Sequence, residues 1–170
     1  MKSLIASILI LGLVGLVVGV AVKGAETATV TATVTPRLLS VTITTDGSVA
    51  YGIMSLNTSK STLPTGLNDT QTAKNDGNDV ENLNIRSSNA TGGTQWTLAA
   101  APGENQFVHK FSTNGGTSWT TFANDTTNYS LATNVAVNGT QNFDLQITTP
   151  TATTDYVQKT ITVTVQAVAP

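Results

Sequence analysis

In "KTITVTVQA", residues 159–167, Ile161, Val163, Val165 and Ala167 alternate with Thr160, Thr162, Thr164 and Gln166. Successive side chains of a strand point to opposite faces, so this is the pattern of a strand with one buried face. The same period of two recurs in "LLSVTIT" (38–44; Leu39, Val41, Ile43), "ENLNIR" (Leu83, Ile85), "QWTLA" (Trp96, Leu98) and "QNFDLQIT" (Phe143, Leu145, Ile147). It is also present in "ATVTATVT" (28–35), where Val30, Ala32 and Val34 oppose Thr29, Thr31, Thr33 and Thr35. No stretch beyond residue 25 carries a convincing helical period. Short alternating runs separated by Gly, Asn, Asp and Pro clusters predict an all-β fold. The expected form is an antiparallel β-sandwich, immunoglobulin-like or jelly-roll-like, with about seven to ten strands in two sheets.

Breakers place the joints. Pro36 ends the 28–35 strand or marks it as an edge. Asp46-Gly47 reads as a turn that folds "SVAYG" back on "LLSVTIT" as a hairpin. Residues 57–79 and 123–139 contain few apolar residues and read as long exposed connections, where binding or assembly contacts or simple insertions are tolerated.

The chain opens with Lys2, an uncharged apolar run from Ser3 to Val22, and Lys23. A basic start, an apolar stretch and small residues at its end form a secretory signal peptide and its hydrophobic helix, here residues 1–21, with Gly19-Val20-Ala21 as the cleavage site. The alternative is an uncleaved anchor reaching to about residue 25, because about 20 apolar residues suffice to span a bilayer. Both readings export the remainder, 22–170, as a single sandwich domain, extracellular or at the cell surface. The membrane enters only through this segment, if it is uncleaved. It lacks the charged cleavage motif and following aromatic residue of type IV pilins.

Composition removes several function classes. Charged residues make up 11% of the 170 and the net charge is −2. Nucleic acid is excluded as a partner, since phosphate binding requires clustered Lys and Arg. There is no cysteine, hence no disulfide, thiolate nucleophile or cysteine-held metal. The chain is instead rich in hydroxyls and amides, with 32 Thr and 14 Asn.

The remaining motifs are weak as chemistry. In "HKFSTNGGTSWTTF" (109–122), the order Ser112, Asn114, Gly116, Ser118, Trp119 resembles the Asp-box hairpin of sialidases, with Asn in place of the usual Asp and Ser in place of Thr. The resemblance implies a structural turn remote from catalysis, with Asn114-Gly115-Gly116 supplying positive backbone angles and Trp119 or Phe111 packing inward. Sialidase chemistry also needs arginines to grip a carboxylate, and this chain has only Arg37 and Arg86. His109, the single histidine, shares a strand face with Phe107 and Phe111 and reads as a sheet residue; one imidazole without thiols makes no ordinary zinc site. In the stretch from 75 to 81, Asp76, Asp79 and Glu81 are weak calcium candidates, set against a plain turn. Six sequons, at Asn57, Asn68, Asn89, Asn124, Asn128 and Asn138, are candidates for N-glycosylation in a host with the transferase. No catalytic constellation and no cofactor motif emerges, so the expectation is a non-enzyme without cofactors.

Through "ATVTATVTPRLLSVTITTDGSVAYG", "DTQTAKNDGNDVENLNI" and "VTVQAVAP", the chain resembles small exported β-sandwich proteins of bacteria and archaea. More distantly it is similar to TasA-type biofilm fibre proteins and archaeal thread or bundling-pilus subunits. That resemblance implies a filament or matrix protein whose partners are copies of itself or other cell-surface components, joined by donation of a strand carrying Val30, Ala32 and Val34. The alternative for that segment is pairing inside its own domain, as first strands usually do. The competing class is an extracellular module binding glycan or protein, which would display coplanar Trp or Tyr on its surface.

Overall fold

The computed structural model describes residues 27–170. The apolar run and the expected signal-peptide cleavage site lie outside the described residues. Two units divide the chain at Thr35/Pro36, and the second, Pro36–Pro170, is an all-β, sandwich-like body. Among the described residues there is no helix.

Ten strands build it: β1 (Val41–Ile43), β2 (Ser59–Ser61), β3 (Gln71–Asn75), β4 (Glu81–Ser87), β5 (Thr97–Leu98), β6 (Gln106–Ser112), β7 (Thr120–Thr121), β8 (Tyr129–Val135), β9 (Thr140–Thr148) and β10 (Val163–Val168). The larger sheet runs β1-β3-β9-β6-β5, with β2 also on β9 and β7 also on β6; the smaller runs β10-β4-β8. Pairing is antiparallel except for β5 on β6, so the larger sheet is mixed. The core lies where Leu83 and Ile85 of β4 face Phe107 and Phe111 of β6 and Phe143, Leu145 and Ile147 of β9, all at most 5% exposed. These are the apolar phases of the alternating runs.

Other elements differ from the sequence reading. "SVAYG" forms no strand and no hairpin with β1. The Ser48 N–H bonds the Asp46 carboxylate in a local Asp turn, and the edge of β1 is taken instead by β3, with Thr44 N–H donating to Thr72 O. The 57–79 connection contains β2 and β3, and 123–139 contains β8 with buried Leu131. β3 is "QTAKN", in which Gln71, Ala73 and Asn75 are buried. Polar residues occupy core phase there because each finds partners: Asn75 Nδ2 donates to Asp79 O and Val135 O, and Asn75 Oδ1 accepts from Gly77 N–H.

The seam between β2 and β3 depends on one threonine. Both strands lie on the same edge of β9, β3 against Thr140–Phe143 and β2 against Gln146–Thr148, with Asp144 and Leu145 between them. Buried Thr62 bridges the gap: its N–H donates to Leu145 O (2.9 Å), its Oγ1 accepts from Leu145 N–H (2.9 Å), and the hydroxyl donates to Asp144 Oδ1 (3.0 Å). Thr70 Oγ1 donates to the same oxygen at 2.6 Å. Replacing Thr62 by isosteric Val should destabilise the fold by about 2–4 kcal/mol, since it strips a buried N–H and a buried carboxylate of a partner each. Urea midpoints compare it with Thr133→Val on the exposed face of β8, expected within about 0.5 kcal/mol of the parent.

Candidate functional site

The acidic loop after β3 is committed to its own chain. Asp79 Oδ2 takes the Arg37 Nε–H at 2.7 Å, which holds its carboxyl below the usual carboxylate range. Asp76 meets Lys74 at 3.3 Å, and Glu81, fully buried, accepts the Ser40 N–H at 3.1 Å. The calcium candidates therefore point to three different partners, and no group of three metal-ligating side chains gathers among the described residues. The loop instead clamps Pro36–Ser40: Asn78 Nδ2 donates to Pro36 O, Leu38 N–H to Asn78 Oδ1, and Asp76 N–H to Ser40 O. A side chain at Gly77 would collide with the Leu38 carbonyl, so the close approach requires glycine.

His109 stands in the core on β6, 1% exposed. Nδ1 shares a hydrogen bond with the Ser87 hydroxyl (2.8 Å) and Nε2 one with the Tyr51 hydroxyl (3.3 Å). Phe122 packs on the ring at 5.6 Å and links it to Phe111 (5.2 Å) and Tyr129 (5.5 Å). Burial pushes the imidazole down to about 4, and burial, with Asp69 adding to it, pushes the Tyr51 hydroxyl up. His109 is thus a neutral member of an aromatic core. Its alternation with Phe107 and Phe111 was visible in the sequence; its bonds to Ser87 and Tyr51, from distant segments, were not.

The 109–122 stretch is a hairpin. Ser112 Oγ accepts the Gly116 N–H (2.9 Å), Asn114 Oδ1 accepts the Ser118 N–H (3.0 Å) and Asn114 Nδ2 donates to Ser118 Oγ (2.8 Å). Gly115 and Gly116 carry the positive φ, at 64° and 79°, while Asn114 does not. Phe111 is buried and Trp119 half-buried. A polar depression elsewhere, lined by Arg86, Ser88, Asp125, Thr162 and Thr164, is open to solvent.

Five of the six sequon asparagines, Asn57, Asn68, Asn124, Asn128 and Asn138, are exposed. Asn89 is half-buried and its amide is occupied, Nδ2 donating to Asp125 (2.7 Å) and Oδ1 accepting from Leu98 N–H (2.8 Å). Of the Trp and Tyr side chains, Tyr156 alone is largely exposed among the described residues, at 86%.

The 28–35 segment has the cleanest alternation after the apolar run, yet forms no strand. Val30 is 94% and Val34 91% exposed. The chain matches no family model, no curated protein and no solved structure.

The His109 burial sets a pH dependence. An imidazole depressed to about 4 in the fold, against 6.5 unfolded, contributes stability that is complete above about pH 6.5. As the pH falls toward 4 the unfolded chain binds the extra proton, and roughly 3 kcal/mol is lost in all. Urea unfolding between about pH 7 and pH 4 should show this slope, and His109→Gln should remove it from that window while carboxylate titration below persists.

Proposed function

We propose that the chain is an exported, non-enzymatic structural protein of the cell surface or extracellular matrix. Its sandwich, of the general kind found in immunoglobulin-like and jelly-roll domains, serves as the subunit of a filament. Subunits join when Ala28–Val34 of one chain becomes a strand of the next. A glycan-free, ion-free contact suffices for this, and exposed sequons leave room for glycans on the outer surface.

The observation that carries this reading is the exposure of Val30 and Val34 on a segment whose apolar side chains all fall on one phase. A period of two has a physical use only when one face is buried, and burying two valines contributes about 3–6 kcal/mol. Strand addition also gives the segment main-chain hydrogen bonds, the usual source of affinity in β-augmentation. Carbohydrate platforms need coplanar aromatic side chains, and a solitary exposed Tyr156 does not make one. The N-terminal apolar run, as a signal peptide, would deliver the protein outside the cell, where such a fibre would form.

Electron microscopy of the secreted chain should show ordered fibres. Deletion of residues 22–35, or Val30→Asp with Val34→Asp, should abolish them while the far-ultraviolet circular dichroism of the sandwich is kept. A chain that stays monomeric at high concentration, or fibres that survive the deletion, would refute strand donation.

A further inference from the structure

The sandwich is unevenly closed. β1 ends one side of the larger sheet and β10 one side of the smaller, and the two strands approach each other across the sandwich. Core-phase side chains of the inner strands are essentially sealed, Leu83, Ile85 and Phe107 at 0% and Leu145 at 4% exposed. Val41 and Ile43 of β1, and Val163, Val165 and Ala167 of β10, face the same interior but stay only half-buried. This flank is apolar, and no other strand among the described residues finishes covering it.

The backbone there is also ready for another strand. β10 runs against β4 in unbroken register from Val163↔Ser87 to Val168↔Asn82, and Ser88 N–H donates to Thr162 O. In an antiparallel pair, alternate residues bond the same neighbour, so the even positions of β10 serve β4. The N–H and C=O groups of Val163, Val165 and Ala167 therefore point outward, along an edge that no other strand among the described residues pairs with. β8, the opposite edge of this sheet, is bulged, its register shifting between Glu81 and Asn84 of β4, and its Leu131 is already sealed at 5%. Bulges are a recognised way of blunting an edge.

We propose that the flank made by β10 and β1 is the acceptor for Ala28–Val34 of a second copy, which adds to the edge of β10. This rests on the strand-donation reading and names its receiving surface. The match is one of length and phase: six regular residues of β10 meet a seven-residue segment whose Ala28, Val30, Ala32 and Val34 recur every second position. Neither partner carries a charge, so no desolvated ion opposes the union. The donor's apolar phase would close over Val41 and Val165, and its threonines would lie on the outer face beside Thr164 and Gln166.

The natural chain has no cysteine, so engineered pairs report cleanly. Full-length chains carrying Thr31→Cys or Thr33→Cys together with Gln166→Cys should, on mild oxidation of assembled fibres, give covalent dimers, trimers and higher multiples that collapse on reduction. Adjacent strands bring paired Cα atoms to about 4.5–5.5 Å, within disulfide reach. The same donors combined with Ser130→Cys on β8 should stay monomeric. Fibres that form without a ladder through Gln166→Cys in either register, or with one through Ser130→Cys, would overturn the acceptor assignment and leave strand donation standing. Cross-linking by Gln166→Cys alone would show the flank pairing with its own copy and overturn it as well. Absence of fibres from the unmodified chain would overturn both.

Discussion

The sandwich depends on the join that Thr62 makes with Asp144 and Leu145. A buried sheet strand must satisfy its backbone groups along both edges, and on one side β9 pairs with β6 over Asp144–Thr148. On the other side it needs two separate strands, β3 and β2, which meet it end to end. Without the Thr62 hydroxyl and amide at the break, Leu145 would carry an orphaned N–H and C=O in the core, and a buried carboxylate would lose a donor. The loop from Thr62 to Thr70 is thereby held, β3 is carried to its place, and β1 can pair with β3. One edge of the open flank is thus positioned by a buried hydroxyl some distance away.

The strands that pack by greasy alternation were legible in the sequence. β4, β9 and β10 show apolar residues at every second position, and those positions face the core. β2, β3 and β8 were not legible, because their burial rests on partners far along the chain. Asn75 becomes a core residue only where Val135 O and Asp79 O arrive to accept from it, and Gln71 is held by Thr45 and Asp69. A polar pentapeptide such as "QTAKN" looks like loop until that hydrogen-bonding frame exists. The reverse failure is "ATVTATVT", which forms no strand: alternation tells which face is fit for burial and is silent about whether anything covers it.

The candidate site shows the same division. Val30, Ala32 and Val34 could be named from periodicity, whereas the half-open flank at β10 and β1 could not, since it arises from where two sheets end. The acidic residues 76, 79 and 81 suggested an ion because carboxylates cluster in the sequence. In the fold they diverge onto Lys74, Arg37 and Ser40, and the loop acts as a clamp on Pro36–Ser40. That clamp fixes the start of the sandwich.

The most direct measurement is amide hydrogen exchange over Thr29–Val34 in dilute protein and in assembled fibres. Strand donation predicts rapid exchange of these amides in the monomer and strong protection in the fibre, since added strands exchange only when the pairing opens. Amides that are already protected in the monomer, or that exchange freely in the fibre, would contradict it.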